Sequence, residues 1–110
     1  MSFNVIPTPD FKKLFKRLLR KYPSLKSDLT QLIEELSENP ETGIFLGHSV
    51  YKIRMAISSK GKGKAAGARV ITYVVTEDKE VYLVYIYDKN QLDNITKQQI
   101  LEMLKNAQLL

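Results

Sequence analysis

The sequence predicts an α+β fold: one domain over residues 1–110, a small antiparallel sheet with an N-terminal helical hairpin on one face and a C-terminal helix. Two observations carry this reading. Apolar residues recur every three to four positions in residues 11–36 and again in 100–107, the period of a helix with one buried stripe. Between them, residues 50–87 alternate or run continuously in β-branched and aromatic residues, the habit of half-buried and fully buried strands. A chain of 110 residues is long enough for one modest core and too short for two.

Each element has a local cause. "FNVIP" (3–7) is short and β-prone, and Pro7 closes it. Thr8, Pro9 and Asp10 then read as a helix start, with Thr8 as N-cap, Pro9 at the first helical position and Asp10 at the positive end of the dipole. Phe11, Leu14, Phe15, Leu18 and Leu19 form the apolar stripe, and Pro23 ends it. Leu25, Leu29, Leu32, Ile33 and Leu36 make a second stripe that stops near Asn39-Pro40, so the two helices form an αα-hairpin. "VYKIRMAIS" places Tyr51, Ile53, Met55 and Ile57 on one face and Lys52, Arg54, Ala56 and Ser58 on the other. "ARVITYVVT" and "VYLVYIY" follow, joined by the polar turn Glu77-Asp78-Lys79-Glu80. Thr96 and Gln99 have capping-box spacing before the stripe Ile100, Leu101, Leu104, Ala107. The predicted order is β-α-α-β-β-β-α.

Composition excludes several classes. There is no cysteine, hence no disulfide and no thiolate metal site. The opening "MSFNVIPTPDF" lacks a secretory signal pattern and no apolar run reaches bilayer length, so a cytoplasmic location is expected. Net charge is +5, and twelve of the 17 basic residues fall in two segments without an acid, 11–21 and 42–76. A field of one sign attracts polyanions, which points to nucleic acid or an acidic protein partner.

The second segment contains "SSKGKGKAAGAR" (58–69), with Lys60, Lys62, Lys64 and Arg69 among glycines. Like charges at alternate positions gain nothing for a fold, so an anionic contact is expected there. The loop is not a nucleotide loop: G-x-G-x-x-x-G is one residue too long for the dinucleotide fingerprint, a strand follows it, and no Walker pattern passes through it. His48, the single histidine, reads as a polar turn residue. No serine-triad signature is present, and Glu34-Glu35 reads as solvated charge. The basic face of the first helix reads most simply as solubility opposite a core stripe.

If the anion is an RNA backbone, cleavage requires attack by the 2′-oxygen on the adjacent phosphorus, with one proton removed there and one given to the leaving 5′-oxygen. Cations stabilise the charge that builds on the phosphorane oxygens. Lysine and tyrosine can carry the protons if neighbouring cations lower their pKa values, and Lys64, Lys89, Tyr85 and Tyr87 are at hand. Tyr85 and Tyr87 could instead stack on a base.

"YKIRM", "GKGKAAGARVITYV" and "VYLVYIYDKNQLDNIT" resemble, in order and spacing, the RelE/ParE superfamily of bacterial toxins, above all its RelE- and HigB-like branch, over about residues 43–105. The resemblance implies the RelE-like β-α-α-β-β-β-α fold and a type II toxin that cleaves messenger RNA, usually on the ribosome. It further implies a cognate antitoxin, and no metal or other cofactor. Carried over by position, Arg54 and Arg69 match the arginines that face the scissile phosphate, Lys62 and Lys64 the loop lysines, and Tyr87 and Lys89 the end of the last strand. The site expected on this basis is Arg54, Lys64, Arg69, Tyr87 and Lys89 for chemistry, with Lys52, Lys60, Lys62 and Tyr85 holding RNA. "AAG" stands where the family has "SGG", and the histidine and glutamate of some relatives have no counterpart. Two alternatives stay open here: a ParE-like gyrase inhibitor without nuclease chemistry, and a non-catalytic RNA-binding module.

Overall fold

The computed structural model describes residues 2–91 and 94–110. The elements are β1 (Asn4–Pro7), α1 (Pro9–Lys21), α2 (Leu25–Glu38), β2 (Ile44–Gly47), β3 (Val50–Met55), β4 (Ala68–Val75), β5 (Glu80–Asp88) and α3 (Lys97–Asn106). Two single 3-10 turns, Ser58–Lys60 and Lys64–Ala66, lie in the loop between β3 and β4. The Cα radius of gyration is 13.0 Å, close to the roughly 13 Å of one compact body of this size.

The caps form as the sequence predicts. The Thr8 hydroxyl accepts from the Phe11 amide and donates to the Leu83 carbonyl at 2.9 Å, so the residue that starts α1 also pins it to β5. Thr96 and Gln99 bond reciprocally at the start of α3.

Five strands make one sheet in the order β1-β5-β4-β3-β2. Neighbours are antiparallel from β5 through β2, but β1 runs parallel to β5, so the sheet is mixed rather than wholly antiparallel. The helical hairpin lies between β1 and β2 in sequence and carries the chain from one edge of the sheet to the other. β2 is absent from the sequence-based order: it is only four residues long, and its partner is the next strand through a two-residue turn. In that turn His48 and Ser49 both have positive φ (52° and 63°), the geometry of a tight hairpin.

The sheet has two differently covered faces. Phe11, Leu18, Leu25, Leu32 and Leu36 of the hairpin pack on Ile53, Met55, Val70, Leu83 and Ile86. On the opposite face Ile95, Ile100 and Leu104 cover Val50, Ile71, Val84 and Tyr87. Register slips between β4 and β5, because Ile71 faces Tyr85 while Thr72 faces Leu83, leaving Val84 as the extra residue. Strict alternation along "VYLVYIY" would put Leu83 and Ile86 on opposite faces. The bulge brings both to the helical side, and Tyr85 and Tyr87 to the other.

Candidate functional site

β3, β4 and β5 align their ends on the face away from the helical hairpin. Arg54 is directly opposite Arg69, and Arg69 is opposite Tyr87, which makes one transverse row on three adjacent strands. One step along the sheet, Lys52, Ile71 and Tyr85 make the next row. Cross-strand neighbours project to the same face, so the residues expected at the site from both ends of the segment do converge. The 58–67 loop closes over this end of the sheet. Gly67 makes that closure possible: a Cβ there would lie 2.1 Å from the Met55 carbonyl oxygen, so only glycine lets the loop exit pass so near its entry.

The loop is anchored rather than loose. The buried Asp28 carboxylate of α2 accepts from the Ser58 amide at 2.9 Å and from the hydroxyls of Ser58 and Ser24. Ser24 and Ser59 exchange a further pair of hydrogen bonds. These contacts hold the loop entry to the N-terminal end of α2.

Within the loop the four cations divide. Lys62 and Lys64 are exposed. Lys60 is turned inward: its Nζ lies 2.7 Å from Asp88 Oδ1, donates to the Ala66 carbonyl at 2.9 Å and sits 5.0 Å from the centre of the Tyr22 ring. The expectation of Lys60 as an RNA contact is therefore corrected, because its ammonium is engaged by a carboxylate from the end of β5, 28 residues further on. Arg69 also differs from expectation. It is only 6% exposed, and its guanidinium donates to the carbonyls of Lys64 (3.1 Å), Ala65 (3.1 Å) and Ala68 (3.3 Å). A guanidinium has five donors in a rigid fork, and here the fork grips the second 3-10 turn rather than facing open solvent.

Arg54 is exposed and, with Lys64, lines a cleft of about 220 Å³ between the β3 edge and α2. Gln31 and Glu35 line its other wall. Glu35, which reads as solvated charge in the sequence, is indeed exposed, on the rim of this cleft. It lies seven positions after Asp28, hence on the same helix face.

Tyr87 is buried, and among the described residues its hydroxyl has no hydrogen-bond partner. Burial pushes its pKa up, and the nearby Arg69 charge offsets this only in part. The condition set for a tyrosine proton carrier, a pKa lowered by neighbouring cations, is not met at Tyr87, whose phenol is pushed the other way. The half-buried Tyr85 ring is 6.0 Å from that of Tyr87. Lys52 and Lys89 are half-buried, and the Lys89 amide donates to the Gly67 carbonyl, tying the strand end to the loop exit. Leu92 and Asp93, inside the third motif of the resemblance, lie outside the described residues.

Asp88 is fully enclosed. Desolvation raises its pKa, but hydrogen bonds from Lys60, Tyr22 and the Asn90 amide outweigh this, and the carboxyl lies below its ordinary value.

Residues 11–110 match the family model described as the RelE toxin of the RelE/RelB toxin–antitoxin system. This chain belongs to the RelE toxin family. Among solved structures, it is similar to a double arginine-to-alanine mutant of the E. coli toxin RelE in the free state. The TM-score is 0.65 over 96% of this chain and 98% of that one, at 16% identity, which shows a common fold. The chain is thus a toxin of a toxin–antitoxin system, a family membership that implies an antitoxin partner. No helix among the described residues is long and apolar enough to cross a membrane.

Proposed function

We propose that this toxin is an mRNA endoribonuclease of the RelE- and HigB-like kind, needing no metal, acting in the cytoplasm on messages held by the ribosome, and silenced by its antitoxin. The observation that carries the reading is the Arg54–Arg69–Tyr87 row beneath a loop that leaves Lys62 and Lys64 exposed. Arg54 and Lys64 line one cleft and are suited to hold the scissile phosphate and the charge that grows on it. Lys62 and Lys52 extend the cationic surface to the flanking backbone, and Tyr85 offers a ring for a base.

The 2′-oxygen loses its proton and attacks phosphorus, the P–O5′ bond breaks, and O5′ takes up a proton, leaving a cyclic phosphate and a 5′-hydroxyl. A neutral Tyr87 fits the role of donor to O5′. Lys64 and Lys89 are the lysines of the expected site, and one of them as a free amine would take the first proton. Arg69 acts from beneath, fixing the carbonyls of Lys64 and Ala65 and so the direction of the Lys64 side chain.

Arg54→Ala is the informative variant because Arg54 is exposed and its loss leaves the core intact. Primer extension on transcripts from cells briefly expressing wild type should find discrete cuts within reading frames. In the variant, cutting should fall about 100-fold, the usual cost of one preorganised transition-state contact. Uncut transcripts in arrested wild-type cells would favour gyrase inhibition, and uncut transcripts in healthy cells an RNA-binding module.

A further inference from the structure

Lys60 and Asp88 stand outside the cleft and the row, yet they form a charged pair enclosed by the fold, with side chains 9% and 0% exposed. Such a pair is a poor way to gain stability, since desolvating two charges costs about as much as their attraction returns. Its geometry indicates another use. Two segments distant in sequence meet on the Asp88 carboxylate, beside the turn that follows it. Tyr22, at the end of α1, donates to Oδ2 at 2.7 Å; Lys60 donates to Oδ1 at 2.7 Å; and the Asn90 amide donates to Oδ1 at 3.1 Å. The same Lys60 ammonium reaches on to the Ala66 carbonyl. Three consecutive carbonyls, of Lys64, Ala65 and Ala66, are therefore gripped by two buried cations, the first two by Arg69 and the third by Lys60.

We propose that Lys60 and Asp88 are positioning residues of this toxin: they lock the second 3-10 turn to the end of β5 and thereby set the stance of Lys64 beside Arg54 in the cleft. The part concerning turnover rests on the cleavage reading given above; the part concerning the turn does not. Asp88 is the fixed point, because it belongs to β5, an interior strand between β1 and β4, and is braced from the other side by Tyr22. Lys60 is the arm. A methionine in its place keeps most of the stem and the packing on Tyr22 but releases Ala66, whereas arginine keeps a charge and donors of similar reach.

The test compares the intact toxin with Lys60→Met, Lys60→Arg and Asp88→Asn, using ribosomes programmed with a defined message. Single-site kcat and KM are measured at a temperature where circular dichroism finds each protein folded. Nitrogen–proton spectra of the arginine guanidinium groups are recorded on the same samples. A displaced contact in the transition state should lower kcat by roughly 10- to 100-fold in Lys60→Met with KM changed less than about 3-fold. Lys60→Arg should recover most of that loss. The Arg69 Nη signals, separate when its donors are held by Lys64 and Ala65, should merge in Lys60→Met. Wild-type kcat in the folded Lys60→Met protein, or a change confined to KM, overturns the proposal, as do unchanged Arg69 signals. Should Asp88→Asn fail to fold, the two Lys60 variants decide alone. Should wild type cut no message, the cleavage reading falls, while the Arg69 signals still decide whether the pair sets the turn.

Discussion

The first helix and the β3–β4 loop are the two acid-free, lysine- and arginine-rich regions of the chain, and the fold treats them in opposite ways. In α1, Lys12, Lys13, Lys16, Arg17, Arg20 and Lys21 are all exposed, on the face opposite Phe11 and Leu18. In the loop, two of four cations are exposed and two are drawn inward, Lys60 to Asp88 and Arg69 to backbone carbonyls. A cation can leave water only when fixed acceptors replace its hydration. A helix face offers none, because its carbonyls are spent on the helix itself. An irregular turn offers several. The glycine-rich loop is thus an internal acceptor for its own charges as well as an exposed cationic surface, with the inward Lys60 and Arg69 bracketing the exposed Lys62 and Lys64.

The comparison can be broken most severely at the loop closure. Gly67→Ala forces a methyl against the Met55 carbonyl, where neither backbone can yield cheaply. A loss of about 3 kcal/mol is expected, at the upper end for overpacking, read from urea denaturation. A change within about 0.5 kcal/mol would mean the loop is not pinned as described.

Acid should separate the two regions next. The folded Asp88 carboxyl lies below its ordinary value of about 3.9, so its contribution to stability is present above that value and is lost as pH falls through the folded pKa. Urea midpoints should therefore drop on the acid side in wild type. Asp88→Asn should be less stable at neutral pH, with Lys60 left uncompensated, and flatter in acid. Acid limbs of equal slope in the two proteins would remove Asp88 from this role. Among the described residues no carboxylate anchors the α1 cations, whose neutralisation should leave the acid limb as it is.

The smallest effect sharpens the comparison instead. Lys62→Gln with Lys64→Gln should reduce the salt dependence of single-stranded RNA binding, log Kd against log salt, by about 1.4, or about 0.7 per lost phosphate contact. Lys12→Gln with Lys13→Gln should leave the slope unchanged in fluorescence anisotropy. Equal reductions would make both regions a general polyanion surface.

What the chain discloses before folding is whatever is settled within a turn or two of backbone. Thr8-Pro9 and Thr96…Gln99 were legible because an N-cap bonds three residues ahead. The alternation of Lys52 and Arg54 with Ile53 and Met55 was legible because strand period is local. The Arg54–Arg69–Tyr87 row was half legible: each face could be read, but the register that aligns them could not. β2 escaped because four residues between Gly43 and His48 carry too little pattern, and the parallel seating of β1 is decided only by β5. Lys60 read as free charge because nothing near it in sequence announces Asp88.

The seating of β1 on β5 also sets a timetable. Residues 4–7 leave the ribosome first, but their strand partner, residues 80–83, is among the last regions of sheet to be made. At about 5–20 residues per second, roughly 4–16 s separate the two. Throughout that interval the first edge strand has no sheet to join, and Tyr87 and Asp88 do not yet exist to complete the row or receive Lys60. A shortened chain ending before β5 holds Arg54, Lys64 and Arg69 but lacks Tyr87 and the carboxylate that receives Lys60. The order of the strands thus makes the completion of the row wait for one of the last stretches of chain to be made.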